Sequence, residues 1–396
     1  MKILYITLEN LSFHKGSVVH IKEVVNGLRK LGHYVGLVAC SLNKSEKADR
    51  FYNLNLMTFF PLRLFRSKKQ PYLVSSIFLF LYLLKILPHH NVIYARDYHA
   101  VLIALFPRLI FKKKLVLEIN GIANEEQRLK SHSYSNRILV FLIQKAEKMA
   151  TRYSDRIVSV TRPIVSYLLS NFYCQPNKVE VIGNGVDTKR FQPIDDDTLL
   201  GQWKERLGIA KEEMVIAFVG NLARWQGVGI LIESAIRLLS RGEKVKILIV
   251  GDGPIKKDLM RRVSDSGLEK EIIFTGMMGY EDIPFLINLG NICVAPFILR
   301  RNEKTGVSPL KVFEYMACGK PVVASRVDGL EFIEEEGTGL LIEPEDVIGL
   351  EKALYGLIKE PHERIEMGHR GLQIAHERFS WESRVTEIER VLIQLA

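Results

Sequence analysis

Short apolar runs alternate with longer amphipathic stretches along the whole chain. β-Branched and aliphatic residues gather near 2–7, 34–39, 92–95, 114–119, 156–161 and 179–183, and again near 214–219, 245–250, 271–275, 291–295, 321–324 and 339–342. Runs of this kind read as buried strands, and the stretches between them as helices crossing between parallel strands. The pattern predicts an α/β protein built from two Rossmann-like parallel sheets facing across a cleft. Residues 1–192 form the first domain and 193–378 the second. The hinge falls at Phe191-Gln192-Pro193, and 379–396 form a final helix that packs back on the first domain. Turn residues follow many strands: Gly220, Gly251-Asp252-Gly253-Pro254, Gly276 and Pro296. Open α/β sheets bind ligands at such carboxyl ends.

One segment carries most of the chemistry. In SPLKVFEYMACGKPVVAS, residues 308–325, Ser308 is a good N-cap and Pro309 suits the first helical position. Gly319 suits the residue just past the end, and Pro321 stops the helix. A helix over 309–318 follows, then a strand from Val322. The helix is apolar on most sides and therefore buried. Its charges, Lys311 and Glu314, share one face. A cation in the first turn is disfavoured by the helix dipole, so Lys311 makes sense where an anion sits against the free amides, a diphosphate being the obvious candidate. Glu314, one turn deeper, is placed to accept from a sugar or ribose diol. The alternative is a plain Lys311–Glu314 ion pair. Two nearby loops add Gly220, Arg224 and Gly227, and Gly251 with Gly253. Arg224 is a candidate phosphate contact. The second loop fails as a dinucleotide fingerprint because Lys256 stands where a third glycine belongs, and no P-loop occurs.

Composition sharpens this picture. The 396 residues are 47% hydrophobic and 25% charged, which suits two globular domains. Four cysteines lie far apart with no C-x-x-C pair, which excludes a zinc ribbon and fits a reducing compartment. The apolar run Ile3–Leu8 is too short for a secretory signal and reads as a strand. Pro71–Leu84 is uncharged over 14 residues, short of the roughly 20 a bilayer span needs. Charge is uneven. Residues 1–190 hold 29 Lys and Arg against 12 Asp and Glu, a balance of +17, whereas 191–396 hold 26 against 33, a balance of −7. A basic first half suits an anionic membrane surface or a polyanionic acceptor. Aromatics and cations mix over 59–69, Lys112-Lys113-Lys114 adds charge, and 71–84 forms either an interfacial helix or an ordinary core helix. The sequence has no recognisable RNA- or DNA-binding motif.

Together these residues resemble the family-four retaining glycosyltransferases (glycosyl transferases group 1) of the GT-B fold. The resemblance runs through Ser154–Val160, Val181–Asp187 with Phe191-Gln192-Pro193, Phe218-Val219-Gly220, Gly251–Pro254, Phe274-Thr275-Gly276 and Phe313–Ala324. It implies a metal-independent transfer from a nucleoside diphosphate sugar to a glycan or lipid-linked hydroxyl, with retention, by a cytoplasmic enzyme on the inner face of the plasma membrane. Donor contacts are then expected from Gly220, Arg224, Gly251, Gly253, the stretch Gly306, Val307, Ser308, Pro309, Leu310 and Lys311, and Glu314. Glu314 matches the second Glu of the family's E-x7-E motif; Gly306 stands in place of the first, with the amides of 306–308 as substitutes. The family's basic pair after Gly220 reads Asn221 and Gln226 here, so Arg224 and Lys311 are expected to supply the charge. On the acceptor side Gly16 and His20 match the loop and histidine opening the first helix, with Lys15 in place of a first glycine. Asn120, beside Gly121, replaces a further family histidine. His20, through the resemblance, and Arg224 and Lys311, through the need for positive charge at the diphosphate, are the catalytic candidates. The S-P-L-K variant implies a role in surface polysaccharide assembly. A nucleotide-sugar 2-epimerase and a non-catalytic sugar-nucleotide module are the competing readings.

Overall fold

The structure, a computed structural model, describes residues 1–11, 16–40, 56–59, 72–129 and 133–395. It divides into two units, Met1–Asn184 with Trp381–Ala396, and Gly185–Ser380.

The first unit holds β1 (Lys2–Asn10), β2 (Tyr34–Cys40), β3 (Leu56–Phe59), β4 (Val92–Arg96), β5 (Lys114–Ile119), β6 (Arg156–Ser159) and β7 (Val179–Val181). They pair in the order β3-β2-β1-β4-β5-β6-β7, all parallel. The β3 strand was not expected. Its four residues merge into the aromatic and cationic stretch that reads as surface, and pairing with β2 alone makes it an edge. The rest of that stretch, 60–69, and Lys15 lie outside the described residues.

Alternation along the strands sorts the side chains. Leu4, Ile6, Ile93, Leu115 and Leu117 face one side and share a core with α2 (Tyr72–Ile86), α3 (Asp97–Ile110), α5 (Tyr134–Tyr153) and α6 (Arg162–Phe172); the short α4 is Ala123–Arg128. Tyr5, Tyr94 and Glu118 take the opposite phase, on the side of α1 (Gly16–Lys30), and register sets Tyr5 beside Tyr94 and Arg96 beside Glu118. The final helix, Trp381–Ile393, packs on α1 so closely that a Cβ at Gly27 would fall 2.5 Å from a Val385 methyl. The apolar stretch 71–84 supplies α2, which buries Leu79 and Leu83 but exposes Ile77 and Leu81. Among the described residues no helix is long and apolar enough to cross a membrane.

The second unit holds β8 (Met214–Val219), β9 (Val245–Val250), β10 (Ile272–Gly276), β11 (Ile292–Ala295), β12 (Val322–Ser325) and β13 (Gly339–Ile342), parallel in the order β10-β9-β8-β11-β12-β13. One face packs under α7 (Val228–Ser240) and α9 (Val347–Lys359), the other under α8 (Leu310–Ala317) and α10 (Pro361–Arg378). In both sheets the strand order reverses beside the first strand of the unit, the switch point where such folds bind ligands.

The division falls at Asn184/Gly185 rather than at 192/193. Val186 and the fully buried Phe191 belong to the second unit's core, and Ile194 donates to Asn288 Oδ1. The acidic run after Pro193 is a helix start: Asp196 accepts from the Leu199 amide and caps Asp197–Arg206. Cys174, Cys293 and Cys318 are free thiols.

Candidate functional site

The apolar helix forms one residue later than its sequence suggests. Pro309 is extended (φ −85°, ψ 119°), Leu310 is the first helical residue, and Ser308 is not the cap. At the far end Gly319 has φ +69°; its amide bonds Met316 O and the Lys320 amide bonds Tyr315 O. That double closure is the Schellman stop, which glycine adopts without steric cost. The buried Tyr315 hydroxyl accepts from the Val219 amide at 2.8 Å and donates to Val219 O at 3.2 Å. These bonds pin α8 to the carboxyl end of β8.

The first turn of α8 thereby meets the loop after β8. Lys311 Nζ donates to Gln226 Oε1 at 2.6 Å and lies 4.0 Å from the Phe218 ring centre and 5.4 Å from that of Phe297. A Cβ at Gly220 would fall 2.8 Å from Nζ, so the ammonium occupies the space that the missing side chain leaves. Gln226, one of the two positions where a basic residue was expected, instead holds the lysine that carries the charge. Among the described residues Lys311 and Glu314 form no ion pair within 4 Å, and the Glu314 carboxyl, 8% exposed, takes no hydrogen bond. Burial pulls the Lys311 ammonium down to about 7 against the attraction of Glu314, and pushes the Glu314 carboxyl up to about 7 against the attraction of Lys311. The amides of Leu310 and Lys311 have no protein partner among the described residues. Two amides, a partly desolvated cation and an unpartnered buried carboxyl therefore share one helix turn.

The flanking candidates divide. Gly306 has φ +58°, a conformation that a Glu there would rarely adopt. Its amide bonds Asn302 O, and the Val307 amide bonds Asp328 O. Those two amides are already taken, which corrects the expectation that they substitute for the missing Glu. Gly251 and Gly253 are required by backbone approach: a Cβ at either would fall 1.9 Å from Gly220 O or 2.5 Å from Leu222 O. They hold the β9 loop against the β8 loop. Arg224 is exposed in a 3-10 turn and makes no ion pair among the described residues.

The first unit has its own buried cluster. Glu118, in the middle of the apolar strand β5, is fully buried. Its Oε1 accepts from Arg96 Nη1 at 2.6 Å and Asn120 Nδ2 at 2.7 Å, lies 2.9 Å from His20 Nε2, and its Oε2 accepts from the Tyr5 hydroxyl at 3.3 Å. Burial alone would raise this carboxyl. The charges of His20 and Arg96, with the hydrogen bond from Asn120, overcome that and hold it well below the usual carboxylate range. His20 Nδ1 is 2.7 Å from Asn184 Oδ1, and the imidazole meets the Trp381 ring edge-on at 5.3 Å. Asn120 and Gly121 follow β5 directly, and Gly16 opens α1. Asp97 begins α3 with φ +72°, and burial pushes its carboxyl up to about 6.

His20 and Asn120 are therefore brought together through Glu118, a neighbour of Asn120 in sequence to which no role had been assigned. A lone charge inside KLVLEI is the signal that finds it, since a buried charge needs partners. Arg96 and Asn184 carried no comparable local signal. Among the described residues no group of three His, Cys, Asp or Glu side chains is placed to hold a metal ion.

Comparison with known proteins gives the family and the fold. The sequence profile described as Glycosyl transferases group 1 matches residues 213–360, and that described as Glycosyltransferase Family 4 matches 14–190. An alpha-D-kanosaminyltransferase of Streptomyces kanamyceticus is 30% identical over 48% of this chain and 48% of its own length. An N-acetyl-alpha-D-glucosaminyl L-malate synthase of Bacillus anthracis is 24% identical over 74% of this chain and 71% of its own. The match thus spans only about half of the first of these relatives. The solved structure of Anabaena Alr3699/HepE in complex with UDP superposes with a TM-score of 0.78 at 20% identity, covering 100% of both chains.

Proposed function

Because the chain belongs to the group 1 glycosyltransferases of GT-B fold, we propose that it moves a sugar from a nucleoside diphosphate to a hydroxyl of a lipid-linked or polysaccharide acceptor. The observation that carries this reading is the turn at Lys311. As the glycosidic bond breaks, charge collects on the departing diphosphate. An ammonium and two amides already fixed in place stabilise that charge without reorganisation. Nearby anionic charge restores the proton that burial draws off Lys311. Glu314 accepts from the ribose hydroxyls. Arg224, exposed on its turn, reaches the outer phosphate. His20 and Asn120 serve the acceptor side, oriented by Glu118, Arg96 and Asn184.

Retention follows from the family resemblance. So does independence of metal, the role of a cation on the leaving group falling to Lys311 and Arg224. The S-P-L-K variant and the basic first unit favour a surface-glycan acceptor. A small anionic acceptor is the second reading, favoured by the relative named as an L-malate synthase.

The test is a calorimetric panel of UDP-, GDP- and ADP-sugars, with UDP-glucose first because the HepE structure has been solved with it. One donor family should bind, and transfer should leave the product with the donor's anomeric configuration by NMR. Release of a free epimer without an acceptor would replace transfer with epimerisation. Binding with no turnover on any acceptor would leave a sugar-nucleotide sensor.

A further inference from the structure

Helix α5 carries apolar side chains on both faces. Toward the protein it buries Val140 and Ala150 together with Asn136, Glu147 and Thr151. Toward solvent it leaves Ile138, Phe141, Leu142 and Met149 between 47% and 57% exposed. Of the inward polar groups, Glu147 and Asn136 are hydrogen-bonded. Glu147 accepts from the Ala123 amide at 2.7 Å and from Asn124 Nδ2 at 2.6 Å, and Asn136 Oδ1 accepts from Gln127 Nε2 at 2.7 Å. Capping and bracing α4 thus occupies much of the inner face, and a further set of apolar residues is left outside. Ile138, Leu142 and Met149 lie four and seven residues apart, so they form one stripe. Helix α3, packed against α5, continues it with Phe106, Leu109 and Ile110, each more than half exposed.

An exposed apolar face of this extent marks an interaction surface. Its charges identify the partner. Arg137, Lys145, Lys148 and Arg152 lie on the exposed side of α5, whereas its one acidic residue, Glu147, points inward. Lys148 Nζ sits 4.8 Å from the ring centre of Tyr173, which is 81% exposed. Apolar side chains ringed by cations and tyrosines fit an anionic bilayer: the first enter the acyl boundary and the second meet the phosphates. A second copy fits poorly, because a two-fold contact through α5 would oppose its own lysines and arginines.

We propose that the outer face of α3 and α5 docks this protein on an anionic membrane surface. The proposal deepens the reading of a membrane-side acceptor without resting on the donor assignment.

The test is co-flotation of the full chain with vesicles of phosphatidylcholine, with and without phosphatidylglycerol, at low and high salt. The wild type should float with the anionic vesicles only, and less at high salt. Lys145→Ala with Lys148→Ala should weaken the partition about 25-fold, at about fivefold per lysine. Leu142→Ser with Met149→Ser should abolish it. Circular dichroism and UDP-sugar calorimetry should show both variants folded and donor-competent. The proposal is overturned if the wild type stays unbound, if the variants float equally well, or if the serine variant instead dissolves a dimer seen in sedimentation velocity. Vesicle binding without any sugar-nucleotide binding would uphold the docking face and sink the donor reading.

Discussion

Lys311 occupies a position where both the helix dipole and burial oppose its charge, and Glu314 beneath it is held toward neutrality by the same burial. Such opposition is tolerated where an anion completes the site. The sign of the pH effect follows. Below about 7 the free protein already carries the ammonium; above it the proton must be taken up on binding. Donor affinity should therefore be flat below pH 7 and fall by up to tenfold per unit above it. Calorimetry at pH 8 in buffers of different ionisation enthalpy should detect the proton uptake; identical heats would show that Lys311 does not face the ligand. Gly220→Ala tests the same contact from the other side. The new methyl would fall 2.8 Å from Nζ, the tip of a flexible side chain. Gly220 also has φ +151°, which an L residue rarely adopts, so the variant loses stability as well; because the ammonium moves, donor affinity of the folded variant drops too. A loss of stability alone would count against it.

At the scale of elements, the Glu118 cluster ties β4, β5 and α1 into one buried unit. Glu118→Gln leaves the Arg96 guanidinium, 5% exposed, without its counter-charge. The expected cost is about 3–5 kcal/mol by urea unfolding; a neutral result would mean the carboxylate is dispensable. The lowered native value also sets an acid limit. Its stabilisation is complete above the unfolded value near 4.5 and is lost as pH falls below it, so the wild type should lose stability in acid more steeply than E118Q. The strands that hold this cluster were legible because buried parallel strands are continuous apolar runs. The β3 strand was not, because a four-residue edge strand leaves no such run. The start of α8 was misplaced by one residue because a proline's fixed φ suits both the cap and the first turn. The outward stripe of α5 could not be read at all: apolar residues fall on both of its faces, and the polar bracing of α4 takes up part of the inner one.

For the whole molecule, residues 1–190 carry a balance of +17 and residues 191–396 one of −7. The division at Asn184 was missed because Val186 and Phe191 are core residues in a stretch that reads as a linker. On the donor side the sequence identified the Lys311–Glu314 turn, but not that Gly306 and Val307 have already spent their amides. If charge on the leaving group is met by Lys311 and Arg224, transfer should persist in excess chelator, and abolition there would require a metal. The central claim is that a sugar nucleotide's diphosphate rests on the first turn of α8. Titration of the preferred UDP-, GDP- or ADP-sugar into wild type and Lys311→Ala at pH 7 tests it most directly. The account predicts a loss of about 10–100-fold in a variant that unfolds at the wild-type temperature or above; equal affinities would contradict it.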